Sequence, residues 1–148
     1  MKNKRYLVLV GLLLAPTGLL QAEPSPRVMA SLGAMDEPLS AHLLIAEHTR
    51  VTDLLDLVYE PKLPLYVRGR AIAAIGLLDG VNATSTLKVL LHSPLADALR
   101  MEALISLLHH PEKPSAPALT VTISEALWSA GDRLYPFLIS TLERLSKR

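Results

Sequence analysis

The sequence predicts an all-α protein: a short right-handed α-solenoid of antiparallel helix pairs, preceded by a cleavable signal peptide. Two observations lead to this fold class. From Val28 onward, apolar stretches of helical length alternate with Pro, Gly, Asn or Asp, and the two-residue alternation typical of strands is rare. In addition, residues 67–72 align with residues 99–104 at a shift of 32 positions. A period of about 30 to 45 residues comprising two helices is typical of an α-solenoid.

The composition agrees with a single helical domain. The 148 residues are 50% hydrophobic and 20% charged, which is far from the composition of a disordered tail. The apolar residues are mostly aliphatic, with one Trp, one Phe and four Tyr. Packing of helix on helix is therefore expected, and aromatic stacking platforms are scarce.

The N-terminus has the pattern of a secretory signal. Three basic residues precede the apolar run Leu7–Leu14, and Leu20-Gln21-Ala22 resembles a cleavage site. We expect a signal peptide at 1–22, a linker at 23–27 and the helical domain at 28–148, in a periplasmic or secreted protein. Pro16 interrupts the apolar stretch, which is shorter than the roughly 20 residues that span a bilayer, so a retained anchor is the weaker alternative.

The absence of cysteine and the near-neutral charge exclude several kinds of site and make two kinds of partner unexpected. The chain has no Cys, which excludes disulfides, thiolate metal sites and Cys nucleophiles. Loss of the leader removes three basic residues and leaves 12 basic against 14 acidic, a net charge of −2. Because the remaining Lys and Arg are scattered, we expect neither nucleic acid nor an anionic membrane surface as a partner.

Eight helices are predicted from the apolar periodicity and from the Pro, Gly, Asn and Asp residues that interrupt it. In the fourth, Val67, Ala71, Ile72, Ile75 and Leu78 form a buried stripe, and Asp79-Gly80 ends it. In the last, Asp132 is expected to cap the N-terminus, with Pro136 near the first turn. The predicted spans are 28–34, 36–48, 50–60, 65–79, 83–92, 96–110, 116–130 and 133–146.

The repeat extends upstream of the aligned segment. At the same shift and with no gap, Thr52 aligns with Thr84, Leu55 with Leu87 and Leu63 with Leu95. The stretch VRGRAIAAIGLLDGVNATSTLKVLLHSPLADALRMEALISLL resembles a HEAT or HEAT-like repeat, with a Val-Arg start, a small and aliphatic first helix and a Leu-rich second helix. The resemblance covers residues 50–110. It implies stacked helix pairs and, for this family, an interaction platform.

The chain departs from the HEAT pattern in two places. That family has an Asp in the turn after the second helix, where this sequence has Glu60-Pro61-Lys62 and His92-Ser93-Pro94. Residues 109–117 contain three prolines and fit no repeat boundary. The last two helices are therefore a shifted repeat or a C-terminal cap, and Ala126-Leu127 followed by Gly131-Asp132 favours the shifted repeat.

No residue pattern predicts catalysis, a cofactor or a metal. His42 and His48 do not share a helix face, and His109-His110 are adjacent. The chain has no Gly-x-Ser-x-Gly elbow and no Gly-rich phosphate loop. Asp36-Glu37 is expected to begin a helix. Arg68 and Arg100, one period apart, are expected to cross-link turns of successive repeats.

The repeat itself predicts a binding surface. Residues one period apart stack on neighbouring helices, so Asp53 with Ser85, Asp56 with Lys88, and Glu60 with His92 are expected to form polar rows. The family resemblance places these second helices on a concave face. The candidate partner-binding residues are Asp53, Asp56, Glu60, Lys88 and His92.

The sequence thus predicts a non-enzymatic interaction or scaffolding module that holds another protein or a peptide. The alternative is a small helical enzyme or ligand carrier with a groove near the 109–117 loop, because proline-rich loops can act as lids. A membrane becomes a partner only if the leader is retained as an anchor.

Overall fold

The computed structural model describes residues 23–147, and this part of the chain folds into eight α-helices with no strand. The all-α prediction is confirmed, and each predicted helix has a counterpart. The predicted signal peptide, residues 1–22, lies outside the described residues. The helices are α1 (Pro26–Gly33), α2 (Ala41–Ala46), α3 (Val51–Tyr59), α4 (Leu65–Leu77), α5 (Val81–His92), α6 (Asp97–His109), α7 (Ala116–Leu127) and α8 (Leu134–Ser146).

The first two helices begin at serine caps rather than where the sequence predicted. The Ser25 hydroxyl accepts a hydrogen bond from the Val28 amide at 3.3 Å, so α1 begins within the predicted linker. Ser40 caps α2 through the Leu43 amide at 3.4 Å. The prediction that Asp36-Glu37 begins this helix was wrong, because a residue that precedes proline, here Glu37, is disfavoured in the helical conformation.

The helices form two layers. In one, α4 contacts both α2 and α6, and α6 contacts α8; in the other, α5 contacts both α3 and α7. The layers are joined because each of the pairs α3–α4, α5–α6 and α7–α8 also packs together, and α1 lies against α4. From α2 to α8, the even-numbered and odd-numbered helices therefore occupy opposite sides of the core.

The predicted stripe of α4 is buried at the centre of this arrangement. Val67, Ala71, Ile72, Ile75 and Leu78 all belong to a core cluster that extends from α1 to α7. A second cluster lies between α5, α6, α7 and α8. Its buried members are Leu91, Leu104, Ile123, Ala126, Leu134 and Leu138.

The repeat is present in the structure with one correction to its alignment. Helices α4 and α6 have the same length and begin 32 residues apart, as predicted. For α3 and α5, burial and hydrogen bonding favour a shift of 33. The Val58 carbonyl of α3 accepts from Arg68 of the next helix, and the Leu91 carbonyl of α5 accepts from Arg100 of the next helix, so Val58 corresponds to Leu91. The cause is loop length: residues 60–64 join α3 to α4, whereas residues 93–96, one fewer, join α5 to α6.

The start of the last helix is fixed by a residue distant in sequence. The Asp97 carboxylate, in the first turn of α6, accepts from the Gly131 amide at 3.4 Å and from the Leu134 amide at 3.3 Å. Asp132 is exposed and makes no cap, so that prediction was wrong. Leu134 and Leu138 of this helix are buried, while Leu142 and Leu145 are partly buried.

No helix in residues 23–147 is both long enough and apolar enough to cross a membrane.

Candidate functional site

The acidic candidate residues line one cavity, which we call the α1–α3 cleft. It has a volume of about 300 Å³ and lies between the start of α1 and the exposed side of α3. Four of its lining side chains are carboxylates, and the others are apolar or Pro. Asp53, Asp56 and Glu60 are thus brought together, as expected because residues three or four apart lie on the same face of a helix. The lining residues are Glu23, Pro24, Met29, Asp53, Asp56, Leu57, Glu60 and Leu63.

Asp53 already has partners within the chain. It is buried, with 7% of its surface exposed, and accepts hydrogen bonds from the Arg50 amide at 3.1 Å and from the Arg50 guanidinium at 2.7 Å. These hydrogen bonds from Arg50 lower the pKa of the Asp53 carboxyl, although burial acts in the opposite direction. Asp53 therefore fixes the N-terminus of α3, and Asp56, which is exposed, is the more accessible carboxylate.

The basic candidate residues line a different cavity, the α5–α7 groove. Lys88 and His92 lie along α5, and Thr122 and Glu125 face them from α7. The groove has a volume of about 430 Å³ and is completed by Val89 and Ser93. Ser93 also joins the two neighbouring helices, because its hydroxyl lies 3.0 Å from the Tyr59 hydroxyl of α3.

The structure separates residues that the ungapped repeat had paired. Asp56 and Lys88 line different cavities, and so do Glu60 and His92. The loop that is one residue shorter explains the separation: α5 is offset against α3, so the equivalent of Tyr59 is His92. The candidate residues therefore line an acidic region on α3 and a mixed region on α5 and α7, rather than the predicted polar rows.

An exposed apolar stripe on α7 was not predicted from the sequence. Val121 and Trp128 are exposed, and Glu125 of the α5–α7 groove lies between them at helical spacing. Trp128 follows directly after α7, and 94% of its surface is exposed. The i, i+4, i+7 pattern was visible in the sequence. It was missed because such a pattern is equally typical of a core face.

A third cavity lies beside the proline-rich loop, and we call it the α6–α8 cavity. Its volume is about 610 Å³. The side chains of His109, Lys113 and Arg144 supply its basic groups, and Thr141 adds a hydroxyl. The remaining lining residues are Ile105, Leu108, Pro114, Ala116, Leu119, Phe137 and Leu145.

His110 lies next to this cavity and has a structural role, in which its ring connects two segments of the chain. It is buried, with 1% exposed, and its Nε2 lies 2.9 Å from the Leu78 carbonyl. Its Nδ1 accepts from the Glu112 amide at 3.0 Å and lies 3.3 Å from the Thr84 hydroxyl. The ring thus connects the loop after α6 to the end of α4. Nearby, His109 at the end of α6 and Lys113 on the loop border the cavity, and Glu112 is exposed.

Arg68 and Arg100 have the cross-linking geometry expected of them. Arg68 Nε donates to the Val58 carbonyl at 2.7 Å, and Arg100 Nε donates to the Leu91 carbonyl at 2.8 Å. Arg100 also donates to the Ser129 carbonyl and hydroxyl beyond the end of α7. Burial lowers the pKa of Arg100, while nearby Asp97 raises it. Both arginines therefore hold helix ends together, and neither guanidinium is directed at the α5–α7 groove.

A fourth cavity borders α4 and α6, in the layer of even-numbered helices. Arg70 and Glu102, one period apart, line it together with Tyr66 and Leu77. Burial raises the pKa of the Glu102 carboxyl. Arg70 donates to the Ser31 and Glu37 carbonyls at 2.9 and 2.7 Å, which ties the N-terminal segment to α4.

Within residues 23–147, no group of three or more His, Asp or Glu side chains is arranged to hold a metal ion. No family model, curated protein or solved structure matches this chain.

Proposed function

We propose that this chain is an exported interaction module, built from HEAT-like repeats stacked as a short right-handed α-solenoid, which holds another protein or a peptide. The proposal is of a non-enzymatic role, in which the odd-numbered helices supply the binding surface and the even-numbered helices and the arginine cross-links keep it rigid.

The alternation of helix contacts supports the solenoid. Each helix from α3 to α6 packs against the helix two positions along the chain as well as against its neighbour, which is the contact pattern of stacked two-helix units. Helices α4 and α6 bury equivalent residues, including Ala71 with Ala103 and Ile75 with Leu107. Arg68 and Arg100 make the same type of bond at equivalent places.

The exposed stripe of α7 carries the functional part of the proposal. A Trp side chain that is 94% exposed costs solvation free energy and gains nothing in the free protein, whereas at an interface it supplies a large apolar contact. Glu125, which lines the α5–α7 groove, lies between Val121 and Trp128 along the chain, and Lys88 and His92 add polar groups to the groove. Apolar anchors surrounded by polar groups are typical of interfaces between proteins.

The α1–α3 cleft determines the expected charge of the partner. Glu23, Asp56 and Glu60 have no ion-pair partner among residues 23–147, whereas Asp53 is paired with Arg50. An extended segment that crosses α3, α5 and α7 would therefore place a Lys or Arg at the α1–α3 cleft and an apolar side chain against Trp128.

The test is capture of partners under mild cross-linking, with identification by mass spectrometry. Wild-type protein is compared with Trp128→Ala and Asp56→Ala, and with Trp128→Phe as a conservative control. We expect the same protein to be captured by wild type, to be lost with Trp128→Ala and to be reduced with Asp56→Ala. Capture that is equal for all variants would exclude this surface.

Export is tested separately on the protein recovered from the cell envelope or medium. N-terminal sequencing is expected to begin at Glu23, since the small residue Ala22 ends the predicted leader. Recovery of a chain that still begins at Met1 would contradict cleavage and would favour the anchored alternative.

A further inference from the structure

The α6–α8 cavity combines an apolar floor with a basic rim. Leu108, Leu119, Phe137 and Leu145 lie at the junction of α6, α7 and α8. Leu119 is buried, and the other three are partly buried and packed against the core. The volume of about 610 Å³ lies within the roughly 300 to 1,000 Å³ that small-molecule sites occupy.

The charged groups at this cavity all have the same sign. Lys113 lies on the loop after α6, Arg144 lies on the last turns of α8, and no Asp or Glu among the described residues lines the cavity. The ion pairs within residues 23–147 are Arg27–Glu47, Arg50–Asp53 and Arg100–Asp97, so neither Lys113 nor Arg144 has an acidic partner there. Both cations are therefore available to an anion.

His109 lies at the same rim, but its neutral ring offers no donor to an anion. Its Nδ1 lies 2.8 Å from the Ile105 carbonyl, one turn earlier in α6, so Nδ1 carries the proton and donates. Nε2 of the neutral ring is then an acceptor, so the groups left to bind an anion are Lys113 and Arg144. Thr141 is not comparably free, because its hydroxyl donates to the Phe137 carbonyl at 2.8 Å.

We propose that the α6–α8 cavity binds an aliphatic carboxylate, with the acyl chain on the apolar floor and the carboxylate at Lys113 and Arg144. An aliphatic tail suits the floor because Phe137 is its one aromatic ring among the described residues. A carboxylate suits the rim because Arg and Lys form charge-assisted hydrogen bonds with it. This site shares no lining residue with the α5–α7 groove, so the proposal does not rest on the proposed protein partner.

Calorimetric titration tests the proposal on protein purified without detergent from cells that express the full chain. The probes are dodecanoate, butyrate and dodecyltrimethylammonium, each below its micelle concentration. We expect dodecanoate to bind with one site per chain. Butyrate should bind more than about 100-fold more weakly, because it lacks most of the methylenes that the apolar floor would bury. The cation has the same tail but should be repelled by the rim.

Matched variants distinguish the site from general uptake of amphiphiles. Lys113→Ala and Arg144→Ala should each weaken dodecanoate about threefold to fivefold, the effect of one exposed ion pair. Lys147→Ala, also exposed near the end of α8 but not at the cavity, should have no effect. Arg144→Glu should abolish dodecanoate binding and improve binding of the cation.

Three outcomes would overturn the proposal. They are binding of the cation as tight as that of dodecanoate, affinities that do not change with Lys113→Ala and Arg144→Ala, and the absence of binding.

Discussion

Individual residues show why the polar positions of this chain differ in accessibility. Asp53 and Asp56 lie one turn apart on α3, yet Asp53 is bonded to Arg50 and Asp56 is exposed. The difference arises because Asp53 is the third residue of its helix, where a carboxylate can accept from the amide of the residue before the helix. A side chain used in this way stabilises the helix and has little capacity left for a partner.

Asp53 makes the free energy of unfolding depend on pH in the acidic range. Its pKa is lowered below the ordinary value of 3.8 in the folded chain, so its contribution is complete above about pH 4 and is lost as the pH falls through the folded-state pKa. Asp53→Asn should cost about 1 kcal/mol at pH 7, because Asn keeps one acceptor oxygen but loses the charge that strengthens the bonds from Arg50. Urea unfolding at several pH values is the measurement. A difference between wild type and Asp53→Asn that persists undiminished at pH 2 would contradict this account.

His48 is the one non-glycine residue with positive φ among residues 23–147, at 52°. It ends α2 in a Schellman motif, in which the His48 amide donates to the Ile45 carbonyl and the Thr49 amide donates to the Leu44 carbonyl. His48→Gly should raise the free energy of unfolding by about 0.5 to 1 kcal/mol, because Gly adopts this conformation without steric cost. Thermal unfolding measures it, with His48→Val as a destabilised control. A lower melting temperature for His48→Gly would refute the assignment.

At the scale of elements, helix ends are held by residues far away in the sequence. Local patterns predicted where helices occur, because the apolar periodicity of α4, α6 and α8 is a property of the segment itself. The cap of α8 was misassigned because Asp132 is adjacent to that helix, whereas Asp97 reaches it only after the chain has folded back. The same reason hid the role of His110, whose partner Leu78 lies 32 residues earlier.

The two arginine cross-links should differ in strength. Arg100 is buried and bonds to Leu91, Ala126 and Ser129, whereas Arg68 is half-buried and bonds to the Val58 carbonyl. Arg100→Lys should therefore cost about 2 to 3 kcal/mol, since an ammonium cannot replace the planar fork and leaves buried carbonyls unpaired. Arg68→Lys should cost less than about 1 kcal/mol. Chemical unfolding of both variants is the measurement, and equal losses would contradict this difference.

Two glycines of α4 test how closely it packs against α6. A Cβ at Gly76 would lie 2.8 Å from the Ser106 Cβ, whereas at Gly69 the nearest contact would be the Leu99 Cδ2 at 3.9 Å. Gly76→Ala should destabilise by about 1 to 3 kcal/mol through overpacking. Gly69→Ala should stabilise by about 1 kcal/mol through helix propensity. Thermal unfolding compares them, and Ser106→Gly should rescue Gly76→Ala. Stabilisation by both substitutions would show that the helices are further apart.

At the scale of the molecule, the repeat explains both what the sequence predicted and where it failed. The shift of 32 residues between α4 and α6 was visible because their buried positions match. One residue fewer in the loop before α6 was not visible, because Leu55 aligned with Leu87 equally well as an apolar pair. That single residue offsets α5 against α3 and separates Asp56 from Lys88. The candidate residues could therefore be placed on α3 and α5 from the sequence, but not in their positions relative to one another.

The account rests on one claim about the whole molecule, that a partner lies across the odd-numbered helices. The direct measurement is photo-cross-linking in the cell, with a photoreactive amino acid placed at Val89 of α5 or at Ile45 of α2. Both residues are 62% exposed, and they belong to opposite layers of the fold. We expect a discrete cross-linked protein from Val89 that disappears when Trp128→Ala is added, and none from Ile45. Cross-linking from Ile45 alone would contradict the claim and move the interface to the even-numbered helices.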